Sequence, residues 1–100
     1  MKTGIELITE ERQRQITKEG WTLKHDDEHD YNQLTDLAMC YLTNPETREE
    51  EFGLEEPPRF FPYEWDRKWW KPTPNDRIRE LQKAGALIAA EIDRLQRLTI

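Results

Sequence analysis

The sequence has 100 residues, of which 36% are charged and 35% are hydrophobic, and its formal net charge is −6. We expect one domain, 1–100, with a thin core that self-association or a bound ligand would complete. The acidic balance argues against general nucleic-acid binding, and the absence of serine excludes a Ser-His-Asp triad. The single cysteine, Cys40, excludes an internal disulfide.

The hydropathy pattern predicts a cytoplasmic protein that does not enter membranes. The N-terminal residues turn polar early, which argues against a signal peptide. The longest nearly apolar stretch, Ala84 to Ala90, is far shorter than the roughly 20 residues that span a bilayer.

The first helix is predicted over about residues 4–18. Ile5, Ile8 and Ile16 recur at helical spacing on one side. Gly20 stands where a C-terminal cap is expected, which would fold Trp21 back onto the other helices.

A second helix is predicted over about residues 30–42. Its apolar side chains form a one-sided stripe, and the acidic residues before it suit the positive end of the helix dipole. The stripe consists of Leu34, Leu37, Ala38 and Tyr41. Asn44-Pro45 is a typical stop signal.

The region between the second and the last helix divides into two predicted segments. Residues 45–56 are rich in glutamate and poor in apolar side chains, which predicts an exposed acidic loop. Residues 57–72 carry four prolines and most of the aromatic rings. A loop of this length is usually functional or disordered, and so many aromatics argue against disorder.

The last helix is the clearest, over about residues 74–98. Thr73 is the expected N-cap and Pro74 the first helical residue. Apolar residues then recur with a helical period, which predicts a stripe that faces the core. The stripe is Ile78, Leu81, Ala84, Ile88, Ile92 and Leu95. Gly85, among alanines, indicates the close approach of another backbone.

No segment shows the alternation of a strand. The elements together predict an all-α fold, a small three-helix bundle with a long proline- and aromatic-rich loop between the second and the last helix.

Acidic and histidine side chains cluster before the second helix. Imidazole and carboxylate together suit a transition metal, and carboxylates alone suit magnesium. The alternative is a capped, acidic helix start whose histidines pack locally. The candidate metal ligands are His25, Asp26, Asp27 and His29.

The proline- and aromatic-rich segment interleaves rings with cations. Such a pattern suits a nucleotide, whose base stacks while its phosphates meet the cations. A protein partner would use the same residue types. The alternative is that the rings supply the core that the helices lack. The candidate ligand-binding residues are Trp21, Trp65, Arg67, Lys68, Trp69, Trp70 and Lys71.

Two arginines in the first helix complete the set of candidate binding residues. Arg12 or Arg14 could clamp a phosphate or carboxylate group of a ligand bidentately. The alternative is a structural ion pair between Arg12 and Asp26 or Asp27.

Several runs resemble a widespread group of short phage and prophage proteins. The matching stretches are Glu11-Arg12-Gln13-Arg14-Gln15-Ile16, Glu19-Gly20-Trp21-Thr22, His25-Asp26-Asp27-Glu28-His29, Trp69-Trp70-Lys71-Pro72 and Lys83-Ala84-Gly85-Ala86-Leu87-Ile88. The resemblance covers most of the chain except residues 44–56. It implies a phage or prophage origin and a non-structural accessory role.

Two other resemblances bear on function. The Glu-Gly-Trp run, with Pro62-Tyr63 and Asp76-Arg77, is similar to the ryanodine-receptor repeat domain, a small ligand-binding module. The acidic helices are similar to MazG-like nucleotide pyrophosphohydrolases, which are all-helical and magnesium-dependent. The chain departs from the E-E-x-x-E pattern of that family, because Arg14 stands where a glutamate is required after Glu10-Glu11.

These features lead to three hypotheses. The first, which we favour, is a non-enzymatic binding protein from a phage or prophage that captures an anionic small ligand, such as a nucleotide signal, or a host protein, and so antagonises host defence. It needs no cofactor. The second is a pyrophosphohydrolase-like enzyme with a divalent metal. The third is a structural dimer in which the Gly85–Ala90 face packs on a second copy. Homo-oligomerisation is expected in general.

Overall fold

The computed structural model describes residues 1–53 and 55–98, and this part of the chain is all-helical. The elements in chain order are α1 (Gly4–Thr17), α2 (Leu23–Asp27), α3 (Gln33–Leu42), α4 (Pro45–Phe52), a 3₁₀ turn (Arg67–Trp69) and α5 (Arg77–Leu98). The prediction of an all-α fold is confirmed. None of the helices in the described ranges is long and apolar enough to cross a membrane.

Helix α1 begins and ends where its sequence predicts. The Thr3 hydroxyl accepts a hydrogen bond from the Glu6 amide at 3.2 Å, and the Glu6 carboxylate accepts one from the Thr3 amide at 3.1 Å. After the helix, Gly20 has a φ of +73°, a conformation that glycine adopts without strain. The chain therefore turns sharply, and Trp21 folds back into the core as predicted.

The helix predicted over residues 30–42 starts later, at Gln33. Asn32 has a φ of +66°, in the left-handed region, so the helix cannot continue towards the N-terminus. The preceding residues form the separate short helix α2, which Thr22 caps by accepting a hydrogen bond from the His25 amide.

The acidic loop predicted over residues 45–56 is wrong for most of its length, because residues 45–52 form α4. Asn44 caps this helix by accepting a hydrogen bond from the Glu46 amide at 2.9 Å, and Pro45 occupies its first turn. Arg48 on α4 is buried and binds Glu80 of α5. Residue 54 lies outside the described residues.

Helix α5 begins three residues later than predicted. Residues 73–76 form a turn in which the Asp76 amide donates to the Thr73 carbonyl at 2.8 Å. The Asp76 carboxylate then accepts from the Arg79 amide at 3.1 Å. Asp76, rather than Thr73, therefore caps this helix.

The orientation of α5 is opposite to the predicted one. Most of the predicted core stripe lies on the outside of the protein, with Ala84 as the exception. The exposed members are Ile78, Leu81, Ile88, Ile92 and Leu95. The inward face instead combines Leu87 and small alanines with four charged residues, which are Glu80, Lys83, Glu91 and Arg94.

Internal ion pairs make this charged inward face possible. Glu80 binds Arg48 at 2.6 Å, and Glu91 binds Arg94 at 2.6 Å. The Lys83 ammonium donates to a backbone carbonyl, that of Lys71, at 2.7 Å. Because each of these buried charges has a partner, the charged face of α5 can lie against the core. The stripe of larger apolar residues then lies on the opposite, outer face.

The core lies between α3, α5 and the aromatic segment. Leu34 and Leu37 of α3 meet Leu87 of α5, and Phe61 and Trp70 pack on them from residues 57–72. The rings therefore supply part of the core that the helices lack, as one of the alternatives holds. Trp65 and Trp69 are only partly buried against the same cluster, which leaves their outer surfaces available.

Gly85 receives a side chain and not another backbone, contrary to the prediction. A Cβ at this position would lie 2.5 Å from Cδ1 of Ile8, which crosses α5 from α1. The missing side chain of Gly85 thus sets how closely α1 approaches α5.

Candidate ligand-binding site

An open pocket of about 330 Å³ lies between α2 and the aromatic segment, and we call it the aromatic pocket. Its walls combine three indole rings, two imidazoles and three carboxylates. The lining residues are Trp21, His25, Glu28, His29, Glu64, Trp65, Asp66 and Trp69. The volume falls at the lower end of the roughly 300–1,000 Å³ that is typical of small-molecule sites.

Local turns place the lining side chains. The Gly20 turn sets Trp21 beside α2, and α2 carries His25 on the same side. In the aromatic segment, the Trp65 amide donates to the Pro62 carbonyl at 3.0 Å, and the Trp69 amide donates to the Asp66 carbonyl at 3.1 Å. These two tight turns direct both indoles towards Trp21.

The rings contact one another at steep angles, so they enclose a hollow instead of forming a stack. Trp21 lies 6.4 Å from Trp65 and 5.7 Å from Trp69, with interplanar angles of 58° and 56°. His29 meets Trp65 edge to face at 4.8 Å, whereas His25 stacks parallel on Trp21 at 5.5 Å. Each wall therefore also supports its neighbour.

The two histidines form a pair that is anchored on a buried carboxylate. Their Nε2 atoms are 3.2 Å apart, and His25 Nδ1 is 3.1 Å from the fully buried Asp26. Arg12 binds the other oxygen of Asp26 at 2.8 Å. Burial, followed by the proximity of His25, lowers the pKa of His29 below its ordinary value of 6.5, which keeps its ring neutral at neutral pH.

The formal charge of the lining is negative. Glu28, Glu64 and Asp66 contribute carboxylates, and none of the lysines or arginines in the described part of the chain lines the pocket. The lysines of the segment lie elsewhere around Trp69: Lys68 and Lys71 each place Nζ 5.6 Å from its ring centroid. This arrangement differs from the expected one, in which cations beside the tryptophans meet a phosphate.

The remaining predicted anion-binding cations are bound to internal carboxylates. Arg12 pairs with Asp26, so the geometry shows the structural ion pair that the sequence offered as the alternative to ligand binding. Arg14 binds Glu11 at 2.8 Å and Glu19 at 3.0 Å. Two further pairs, each between exposed or half-buried side chains, are Arg67 with Glu56 and Lys71 with Glu19.

Trp70 does not belong to the pocket. It is buried, lies 4.9 Å from the Tyr41 ring, and carries the Arg48 guanidinium 5.2 Å from its centroid. Of these two neighbouring residues, Trp69 therefore lines the pocket and Trp70 belongs to the core.

The four candidate metal ligands do not form one cluster. Asp27 binds Arg97 of α5, while Asp26 lies beneath His25. In residues 1–53 and 55–98, no group of three or more histidine, cysteine, aspartate or glutamate side chains is arranged to hold a metal ion. Metal binding and the associated hydrolase activity stay predictions.

Cys40 is fully buried in α3, and burial raises the pKa of its thiol to about 12. A thiol with so high a pKa is a poor nucleophile at neutral pH, which agrees with a packing role.

Three pocket residues are absent from the binding and metal sites predicted from sequence: Glu28, Glu64 and Asp66. A signal for two of them exists, because Tyr63-Glu64-Trp65-Asp66 alternates rings with carboxylates. The nearby lysines and arginines masked that signal, since only the fold separates them from the pocket.

Comparisons of this chain with known protein families, with curated proteins and with solved structures give no match.

Proposed function

We propose that this protein is a non-enzymatic binding protein that captures a small organic cation, a quaternary ammonium group, in the aromatic pocket. The observation that carries the proposal is the lining itself: three indoles and three carboxylates, without lysine or arginine. An alkylated ammonium group is the ligand whose chemistry matches both parts of this lining.

The indole faces favour a cation because their π-electrons are negative at the centre of the ring. Each such contact contributes about 0.5–1 kcal/mol when exposed and about 2 kcal/mol when desolvated. Trp65 is partly buried, which places it between these limits, whereas Trp69 already has the Lys68 and Lys71 ammonium groups near its ring. The methyl groups of a quaternary ammonium are apolar and pack on the rings without an unmet hydrogen bond.

The carboxylates supply the second part of the recognition. Glu64 and Asp66 flank Trp65 in the sequence, and Glu28 faces them from the end of α2. A neutral His29 adds no opposing charge at neutral pH. The pocket thus attracts a positive ligand over a distance and holds it by the rings.

An anionic ligand, the class expected from sequence, is less compatible with this geometry. It would meet three carboxylates in the pocket, and most of the cations predicted to bind it already neutralise internal carboxylates. The phage origin, the host-protein target and the role in antagonising host defence stay predictions from resemblance.

The direct test compares choline with 3,3-dimethyl-1-butanol, its uncharged carbon isostere, by isothermal titration calorimetry. Because the two molecules share shape but not charge, we expect choline to bind about tenfold more tightly or better, a difference of about 1.4 kcal/mol. Equal affinity would contradict the proposal. Binding of adenosine monophosphate without binding of choline would contradict it in favour of an anionic ligand.

Matched variants locate the binding. Trp65→Ala removes a pocket wall and should weaken choline binding by about 5- to 30-fold, the equivalent of about 1–2 kcal/mol. Tyr63→Ala is the control, since Tyr63 is a fully exposed ring of the same segment outside the pocket. Glu64→Gln keeps the shape and removes the charge, and it should weaken choline without affecting the isostere. Equal losses in Trp65→Ala and Tyr63→Ala would contradict the assignment of the site.

A further inference from the structure

The outward face of α5 carries a heptad pattern that is exposed in the described protein except at Gly85, which Ile8 of α1 covers. Its residues are spaced alternately by three and four, and we call them the α5 seam. They are Ile78, Leu81, Gly85, Ile88, Ile92 and Leu95. The five large side chains are between 39% and 65% exposed. A spacing of 3.5 residues is the pattern of a helix that packs along its length on another helix.

The N-terminal part of α1 extends this apolar surface. Ile5 is 80% exposed, and Ile8 lies over Gly85 of the seam. A groove of about 250 Å³ lies between α1 and α5, with almost wholly apolar walls, and Leu7, Ile8, Ile78 and Leu81 are among the residues that line it. No charged residue interrupts the seam from Ile78 to Leu95.

We propose that the α5 seam is the interface of a two-fold symmetric homodimer, in which α5 packs antiparallel on α5 of a second copy. The seam is self-complementary in this direction. Ile78 then faces Leu95 of the second copy, Leu81 faces Ile92, and Gly85 faces Ile88, and the same three layers repeat by symmetry. Because the side chain of Ile8 lies on Gly85, Ile88 of the second copy meets Ile8 in the middle layer.

The exposed apolar area of the seam fits a second copy. The exposed apolar area of the seam with Ile5 is roughly 600 Å² per copy, comparable to the roughly 800 Å² per partner that stable complexes bury.

The first test measures the oligomeric state by sedimentation equilibrium over a micromolar concentration range. We expect twice the 12.1 kDa chain mass. Ile92→Lys places an unpaired charge in the interface and should raise the dimer dissociation constant by about a hundredfold or more. The matched control is Leu23→Lys, because Leu23 and Ile92 are both 51% exposed and Leu23 lies on α2. Both variants should keep the helical circular dichroism of the wild type.

A monomeric wild type over the whole concentration range would overturn the proposal. Equal weakening by Ile92→Lys and Leu23→Lys would also overturn it, because the interface would then not involve the seam. Both outcomes are independent of choline binding, since the aromatic pocket contains no seam residue.

The second test fixes the direction of packing through disulfide formation. L81C and I92C proteins are prepared separately, mixed, and oxidised; the buried Cys40 does not compete. The antiparallel dimer predicts that the mixture forms a covalent heterodimer of the two variants, whereas each variant alone stays largely uncrosslinked. Efficient crosslinking of each variant with itself would show parallel packing and overturn the proposed arrangement.

Discussion

Glu80 is a buried carboxylate with three partner residues. It accepts hydrogen bonds from Arg48 at 2.6 and 3.1 Å, from Arg77 at 3.1 Å and from the Thr73 amide at 3.0 Å. The residue therefore joins α4, the start of α5 and the turn before it. These four hydrogen bonds offset the loss of hydration of this fully buried carboxylate.

We expect Glu80→Ala to destabilise the protein by about 3–5 kcal/mol, because Arg48 would remain buried without a counter-charge. Urea denaturation followed by circular dichroism measures the change. Glu50→Ala, at an exposed position of α4, should change the free energy of unfolding by no more than about 0.5 kcal/mol. A loss of under 1 kcal/mol in Glu80→Ala would show that the ion pair contributes little.

The lowered pKa of His29 should make choline binding depend on pH. Burial and then His25 lower this pKa, whereas Asp26, Glu28 and Glu64 act in the opposite direction with smaller effects. As the pH falls through the lowered pKa, the ring gains a positive charge beside the ligand. Choline affinity should therefore fall on acidification below pH 6.5, and His29→Gln should remove the histidine part of this dependence. An affinity that rises as the pH falls would contradict the account.

The same histidine should affect stability in the same direction. The unfolded chain binds a proton at His29 more readily than the folded protein does, since the folded pKa is the lower one. Unfolding therefore takes up a proton as the pH falls below 6.5, and the free energy of unfolding decreases. Thermal denaturation between pH 7 and pH 5 should show a smaller decrease for His29→Gln than for the wild type.

At the scale of elements, the crossing of α1 over α5 depends on the contact between Ile8 and Gly85. A glycine inside a helix costs about 1 kcal/mol relative to alanine. Gly85→Ala removes this cost but forces Ile8 aside, since the new Cβ would lie 2.5 Å from Cδ1 and 2.7 Å from Cγ1 of that side chain.

The two substitutions should therefore be coupled. We expect Gly85→Ala to be more favourable by about 1 kcal/mol in an Ile8→Ala background than in the wild type. A double-mutant cycle of unfolding free energies gives this value directly. Additive effects would mean that the Ile8 side chain moves aside from a Cβ at position 85 without an energetic cost.

The sequence predicts some elements well and others badly, for physical reasons. The end of α1 follows from Gly20, and α5 follows from a sustained apolar period. Helix α4 is stabilised by the contact of Arg48 with a residue 32 positions away, which no local pattern contains. The predicted orientation of α5 is wrong because an apolar stripe indicates that a helix face is covered. The stripe does not indicate whether the covering surface belongs to the same chain.

The candidate site shows the same division. Trp65 and Trp69 are candidates because clustered rings are visible in the sequence, whereas Trp21 lies far from that cluster along the chain. Their separation from Trp70, and the removal of Lys68 and Lys71 from the pocket, depend on the turns at residues 62–69. The sequence thus indicated a candidate site that contains the three indoles of the pocket, but with positive instead of negative charges around them.

At the scale of the whole molecule, the pocket and the α5 seam occupy separate surfaces. The pocket draws its residues from Trp21, α2 and residues 64–69, while the seam lies on the outward face of α5. A monomeric Ile92→Lys variant should therefore bind choline within about twofold of the wild type, as measured by calorimetry. A loss of about tenfold would show that the dimer contributes to the site.

The measurement that tests the central claim most directly is the proton NMR spectrum of choline in the presence of the protein. N-methyl groups that lie on indole faces experience ring currents, so the account predicts an upfield shift of the methyl resonance that saturates with protein concentration and disappears in Trp65→Ala. An unchanged methyl resonance at millimolar choline, or an equal shift in Trp65→Ala and Tyr63→Ala, would contradict a cation site in the aromatic pocket.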